Sequence, residues 1–275
     1  MKAVVKKTRS IIHKSLGVIH KALEFGEILD HRVLIGTHHK TGTVWMSSIF
    51  YSIASYYHLK YYGNRGNQSF GAPFGNFDIF FQDKSKFDFD RLYHYKGLHI
   101  IRDPRDVVVS ACFYHLKSSE KWLHIKREAF GGLTYQEKLN SYSSFDDQLL
   151  FEMENSSRNT IQDMNSWNYH NPDFIEIKYE DLIEDINLHL FRKIFQFLGF
   201  KEKIIPRLLK IAYRNSLFSG NVKSKHVRNG NKNQWIEYLK PIHEERFAAL
   251  FDNVLIKLNY AQTKTGWLDR SLSSQ

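Results

Sequence analysis

The stretch Val33-Leu34-Ile35-Gly36-Thr37-His38-His39-Lys40-Thr41-Gly42-Thr43-Val44-Trp45 decides the fold. Val33 to Gly36 is a short apolar run between polar residues, the pattern of a buried strand. From Thr43 to Tyr57 the apolar residues Trp45, Ile49, Ile53 and Tyr56 recur at helical spacing, so a helix comes next. A strand that turns directly into a helix exposes unsatisfied backbone N–H groups at the turn, which suit an anion. Gly42 allows the backbone to approach an oxyanion closely. Thr41 and Thr43 bring hydroxyl donors, and Lys40 brings positive charge. The turn is not a Walker A loop, because counting from Gly36 puts Thr41 where a glycine is required, and the lysine precedes the next glycine by two residues. That disfavours an ordinary nucleotide kinase.

Outward from this turn the pattern repeats. Phe77 to Phe81, Leu98 to Ile101 and Phe174 to Ile177 read as further strands. Pro104 to Leu116 reads as a helix, with Asp103 as N-cap, Pro104 at its first position and Asp106 at its third. Residues 144–170, Asn187 to Leu198 (stopped by Gly199), Lys203 to Tyr213 and Ile242 to Leu258 also read as helices. Residues 62–76 and 221–234 read as loops. Strands alternating with helices predict an α/β fold with a central parallel β-sheet flanked by helices. In such sheets ligands bind beyond the carboxyl ends of the strands. Arg102 leaves one of those ends, where a guanidinium grips phosphate as a fork, and Ser110 lies about two turns into the next helix. Two anion sites at two strand ends fit a ligand charged at both ends.

The chain has 275 residues and a formal charge of +10, with an apolar share of 42% that excludes global disorder. Cys112 is the only cysteine, which excludes an intrachain disulfide scaffold and cysteine-based zinc clusters, and no metal is expected. No run approaches the ~18–20 apolar residues of a membrane span. Lys2, Lys6, Lys7 and Arg9 resemble the start of a signal peptide, but His13, Lys14, His20 and Lys21 break up the apolar block such a peptide needs. Residues 1–30 therefore read as a basic amphipathic helical segment and residues 31–275 as one domain. The expected location is cytoplasmic, with peripheral membrane contact through residues 1–28 as the alternative. The positive charge concentrates in residues 201–250, whereas residues 141–190 hold two Lys/Arg against eleven acids. A basic segment inside a folded region reads as an anion site or a nucleic-acid surface, and the acidic stretch argues against a uniform nucleic-acid face. A small-molecule phosphotransferase is the other rival.

At these residues the chain resembles the sulfotransferases that use 3′-phosphoadenosine 5′-phosphosulfate (PAPS). Their Pro-Lys-Ser-Gly-Thr-Thr-Trp-like loop is matched by His39 to Trp45, and their Arg-Asx-Pro-Arg/Lys-Asp-Val-x-Val-Ser segment by Arg102 to Ser110. Lys178-Tyr179-Glu180-Asp181-Leu182 and Arg228-Asn229-Gly230-Asn231-Lys232-Asn233-Gln234-Trp235 are third and fourth matches in the right order. The resemblance implies the P-loop nucleotide-kinase-like sulfotransferase fold and PAPS as co-substrate. It implies that Thr41, Gly42, Thr43 and the Val44 backbone hold the 5′-phosphosulfate, with Trp45 against the adenine. It places Arg102 and Ser110 on the 3′-phosphate, joined by Arg228, Asn229 and Gly230. Tyr179 would contact the base, and Ser216 and Phe218 would lie near the adenine. Val44, Asn229 and Asn233 depart from the family's threonine, lysine and glycine.

Sulfuryl transfer to an acceptor hydroxyl is an in-line displacement helped by positioning and charge stabilisation. Lys40 is the candidate to stabilise charge on the departing phosphate oxygen. The Lys-Thr-His-x-Pro histidine segment of cytosolic relatives is absent. Phe80-Phe81-Gln82-Asp83-Lys84-Ser85 stands there, and because carbohydrate-type relatives use a carboxylate for this step the resemblance implies Asp83 as the candidate general base, with His39, His94 and His115 as fallbacks. Tyr61 to Asn76 and Phe113 to Phe151 fall where the family builds its acceptor pocket, and carbohydrate or another hydroxylated metabolite is the expected acceptor.

Overall fold

The computed structural model describes residues 27–63, 77–216, 219 and 231–268. Expectations for most of the N-terminal segment, for residues 64–76 and for Phe218, Arg228, Asn229 and Gly230 lie outside the described residues. Strand β1 (Arg32–Gly36) passes through the quoted turn into helix α1 (Thr43–Tyr56). Strands β2 (Tyr61–Gly63), β3 (Ile79–Gln82) and β4 (Tyr95–Ile101) come next, then α2 (Pro104–His115). Helices α3 (Tyr135–Asn140), α4 (Phe145–Glu154) and α5 (Ser156–Ser166) occupy the middle of the chain. Strand β5 (Phe174–Lys178) leads into α6 (Tyr179–Glu184), α7 (His189–Phe197) and α8 (Ile205–Asn215). The short α9 (Trp235–Tyr238), α10 (Pro241–Phe251) and α11 (Val254–Lys257) close the chain.

The five strands form one parallel sheet in the order β2-β3-β1-β4-β5. The chain therefore builds on one side of β1 and then crosses to the other. The crevice between the carboxyl ends of β1 and β4 is the point where the winding reverses, the usual ligand position in an open α/β sheet. Burial on both faces explains why β1 is a continuous apolar run. Val33 and Ile35 pack into a core with α1, α7 and α8, whereas Leu34 packs on the other face with Phe80 and Phe174. A second large core joins α2 to α4, α5 and α10 through Val107, Val108, Met153, Ile161 and Phe247.

Helix α2 starts as its sequence dictates: Asp103 accepts the Arg105 N–H at 2.9 Å, and Pro104 occupies the first helical position. Three expectations change. The helix expected over 144–170 is two helices, broken at Asn155, whose φ of −116° and ψ of −100° are not helical. The last helix is interrupted at Asp252, where φ is +45°. The loop expected from residue 62 begins with an edge strand, because Tyr61–Gly63 pairs with Ile79–Phe81. No helix among the described residues is long and apolar enough to cross a membrane.

Gly97 sits where β4 pairs with β5, and a Cβ there would lie 2.2 Å from the Phe174 ring. Gly97→Ala should therefore destabilise the sheet by ~1–3 kcal/mol, the usual range for overpacking a core. A denaturant midpoint equal to that of the unmodified chain would contradict this.

Candidate active site

At the carboxyl ends of the strands lies a cavity of about 1480 Å³. Of the residues singled out in the sequence, Lys40, Asp83, Gly42, Thr43, Val44, Trp45, Arg102, Ser110 and Tyr179 line it. The fold thus brings together the turn after β1, the segment after β3, the turn after β4 and the start of α6.

Arg102 joins the two central turns. Its Nη1 donates to the Lys40 carbonyl at 3.0 Å and its Nη2 to the Asn231 carbonyl at 3.1 Å. The guanidinium lies 4.6 Å from the centre of the Tyr179 ring, and its Nε is buried with no hydrogen-bond partner among the described residues. A buried donor left unsatisfied is costly and needs a reason, and a missing anionic ligand is one. Asn231 belongs to the fourth sequence match, so the described end of that loop does reach Arg102.

Lys40 takes a left-handed backbone, with φ at +66°, uncommon for a residue with a side chain. Its Nζ sits 3.8 Å from the centre of the Tyr114 ring. Burial, and then the charge of Arg102, push the ammonium down to about 8. Gly42 is also left-handed, at +95°, and a Cβ there would meet the Tyr179 ring at 3.2 Å. Helix α1 begins at Gly42 with no side-chain cap, so its first N–H groups have no side-chain acceptor.

The expected hydroxyl donors are placed differently. Thr41 is fully buried and off the cavity wall; its hydroxyl donates to the His38 carbonyl at 2.9 Å and accepts the His38 N–H at 2.8 Å. Thr43 lines the cavity, but its hydroxyl donates to the same carbonyl at 2.8 Å. Both brace the turn, because a small loop without a glycine at position 41 closes through its own side chains. Ser216 is buried, donates to the Tyr213 carbonyl at 2.6 Å and does not line the cavity. His94 hydrogen-bonds the Asp30 carbonyl, just before the amino ends of the strands, so it is no candidate base.

Two features were not visible in the sequence. Each histidine of the first turn is backed by a second histidine and a glutamate. His38 Nε2 meets His99 Nε2 at 2.8 Å, and His99 Nδ1 meets Glu176 at 2.5 Å. His39 Nε2 meets His115 Nε2 at 3.0 Å, and His115 Nδ1 meets Glu152 at 2.8 Å. Burial pushes His99 down to about 3 and Glu176 up to about 7, so both are held toward their neutral forms. The polar lining of the cavity around the Asn155 break is the second feature. Asn155, Ser156, Asn159, Thr160 and Gln162 line the cavity together with the rings of Phe113, Tyr114, Trp122 and Tyr135.

Asp106 and Glu180 support the arginine. Asp106 Oδ1 accepts the Trp235 N–H at 2.9 Å, and Oδ2 lies 3.8 Å from Arg102 Nη2. Glu180 accepts the Asp103 N–H and the Tyr260 hydroxyl, both at 2.9 Å, which fixes the start of α2. Burial drives Asp106 from 3.8 up to about 6, against the pull of Arg102. A carboxyl held above its unfolded pKa binds its proton more tightly in the fold, so stability falls as pH rises from about 4 to about 6. The shift corresponds to ~3 kcal/mol at most. Asp106→Asn should flatten that part of the stability–pH curve, measured by urea unfolding; an unchanged slope would place the titrating group elsewhere.

Among the described residues no group of side chains is arranged to hold a metal ion. No curated protein matches the chain in sequence. Solved structures do share its fold. A mouse sulfotransferase complexed with PAP, the desulfated nucleotide, aligns with a TM-score of 0.52 at 16% identity, over 86% of this chain and 87% of that one. A retinol dehydratase in complex with androsterone and inactive cofactor PAP aligns with a TM-score of 0.51 at 15% identity, over 82% and 80%. The sulfotransferase-domain family model matches residues 92–261, more than half of the chain, and this span includes the Arg102 turn, Ser110 and the Tyr179 segment. The chain belongs to the sulfotransferase family.

Proposed function

We propose that the chain moves a sulfuryl group from PAPS to a hydroxyl of a carbohydrate or another small hydroxylated acceptor. The observation that carries this reading is the buried Arg102, which ties the turn after β1 to the turn after β4 and keeps one donor unpaired among the described residues. A nucleotide with phosphate groups at both its 3′ and 5′ positions spans two such turns. The residues present suit it. The uncapped start of α1 and the Gly42 cradle suit the 5′ group, and Arg102 with Ser110 suits the 3′-phosphate. Trp45 and Tyr179, whose rings meet edge to face at 6.3 Å, offer an aromatic wall for the base. PAPS supplies the sulfuryl group when bound. Lys40 stabilises negative charge on the oxygen that leaves, within a buried site where such charges interact strongly.

The acceptor side supports a sugar-like partner. A cavity lining that mixes aromatic rings with amides and hydroxyls offers stacking for ring faces and hydrogen bonds for several hydroxyl groups. Asp83 and His39, the base candidates named from the sequence, are both among the groups that line the cavity.

Calorimetric titration separates this reading from a phosphotransferase. PAP should bind clearly more tightly than ATP, and label from ³⁵S-PAPS should pass to at least one glycoside in an acceptor screen. Equal or tighter binding of ATP, with no label transferred, would overturn the reading.

A further inference from the structure

We propose that His39, and not Asp83, is the general base, poised by a buried His115–Glu152 relay that fixes which of its ring nitrogens carries the lone pair. This rests on the sulfuryl-transfer reading above. At the far end of the relay, Tyr135 accepts the Ser156 N–H at 3.3 Å and donates its own hydroxyl to Glu152 Oε2 at 2.9 Å. Ser157 donates to Glu152 Oε1 at 2.8 Å. Both oxygens of the fully buried Glu152 therefore act as acceptors, the behaviour of a carboxylate.

The proton positions are then set one after another. Glu152 accepts from His115, so His115 Nδ1 carries a proton and its Nε2 is an acceptor. His39 Nε2 must carry the proton that bridges the two rings. The lone pair of His39 is left on Nδ1, on a side chain that lines the cavity. His115 is itself held in place, since its carbonyl accepts from Gln136 at 2.7 Å and its ring lies parallel to that of His39 at 5.0 Å.

The chemistry balances simply. The acceptor's proton moves to His39 Nδ1 as its oxygen bonds to sulfur. The bond from sulfur to the phosphate oxygen breaks, and its electron pair leaves on that oxygen beside Lys40. The imidazolium is stabilised by Glu152 through His115, and its proton later passes to water. His115 and Glu152 are positioning residues in this scheme. Around His39 stand His115, Lys40, Lys84 and Tyr114, with Glu152 behind. Burial first, then His115, Lys40 and Lys84, hold the free imidazole neutral, so its lone pair is unoccupied at neutral pH. The relay is what favours His39 over Asp83.

The test uses the full chain, ³⁵S-PAPS and two acceptors of different acidity. 4-Nitrophenol ionises readily and needs little help from a base, whereas methyl β-D-glucoside does not. His39→Asn should lower transfer to the glucoside by about 100-fold, spare the nitrophenol reaction and keep PAP affinity. Glu152→Gln should move the acidic limb of the kcat/KM profile to lower pH, because the imidazolium loses its counter-charge. Ring ¹⁵N NMR of the unmodified chain should show the proton of His39 on Nε2, and Glu152→Gln should change that tautomer. A His39→Asn enzyme as fast on the glucoside as the parent, a larger loss in Asp83→Asn than in His39→Asn, or a proton found on His39 Nδ1 would overturn the assignment. A parent chain that neither binds PAP nor transfers label to either acceptor would instead overturn the sulfuryl-transfer reading, and the role of His39 with it.

Discussion

Lys40→Ala is expected to lower turnover by about 100- to 1000-fold while changing PAP affinity only slightly, the pattern of a group that acts on charge developing in the transition state. The lysine is half-buried, beside the Tyr114 ring, and its backbone carbonyl is clamped by Arg102. Its position is thus set before any ligand arrives, and the charge it offers needs no reorganisation. A pKa of about 8 leaves it mostly protonated at neutral pH. Since the protonated form is the active one, kcat/KM should fall as pH rises through about 8. Lys40→Arg should keep the charge and lose that alkaline limb. Turnover at the parent rate in Lys40→Ala would refute the role outright.

Arg102→Ala is expected to weaken PAP binding by about 30- to 1000-fold, the ~2–4 kcal/mol typical of truncating a buried, hydrogen-bonded charge. The change removes more than a phosphate ligand. The Lys40 and Asn231 carbonyls each lose a donor, and Asp106 loses the cation beside it. The two turns are then no longer joined by the guanidinium. Arg102→Lys should recover part of the affinity, since it restores charge but not the fork. Titration with PAP reads this directly. Parent-like affinity in a folded Arg102→Ala chain would move the 3′-phosphate site elsewhere.

What the sequence made legible was local. The β1 turn, the Asp103-Pro104 start of α2 and the cavity positions of Lys40, Gly42, Arg102 and Ser110 come from strand, turn and helix signals within a dozen residues, whereas that of Trp45 came from the family resemblance. The bonds of the Thr41 and Thr43 hydroxyls to the His38 carbonyl were not legible, because a hydroxyl in a turn can face a ligand or its own backbone, and composition does not choose. The histidine pairs were out of reach, since their members stand 61 and 76 residues apart and meet only through the sheet order. The break at Asn155 was hidden too, as 144–170 has no glycine or proline to mark it.

That break links recognition to reaction speed. Glu152 ends the relay on one side of Asn155, while Ser156 and Asn159 face the cavity on the other, and Ser157 beside them holds the second oxygen of Glu152. On the proposed mechanism, the surface that feels the acceptor and the carboxylate that steadies the proton are adjacent in the chain. An acceptor that displaced α5 would then draw Ser157 from Glu152 and loosen the relay back to His39. Discrimination among acceptors should then be written in kcat more than in KM: a misfitting hydroxyl can dwell in the cavity and still be sulfated rarely.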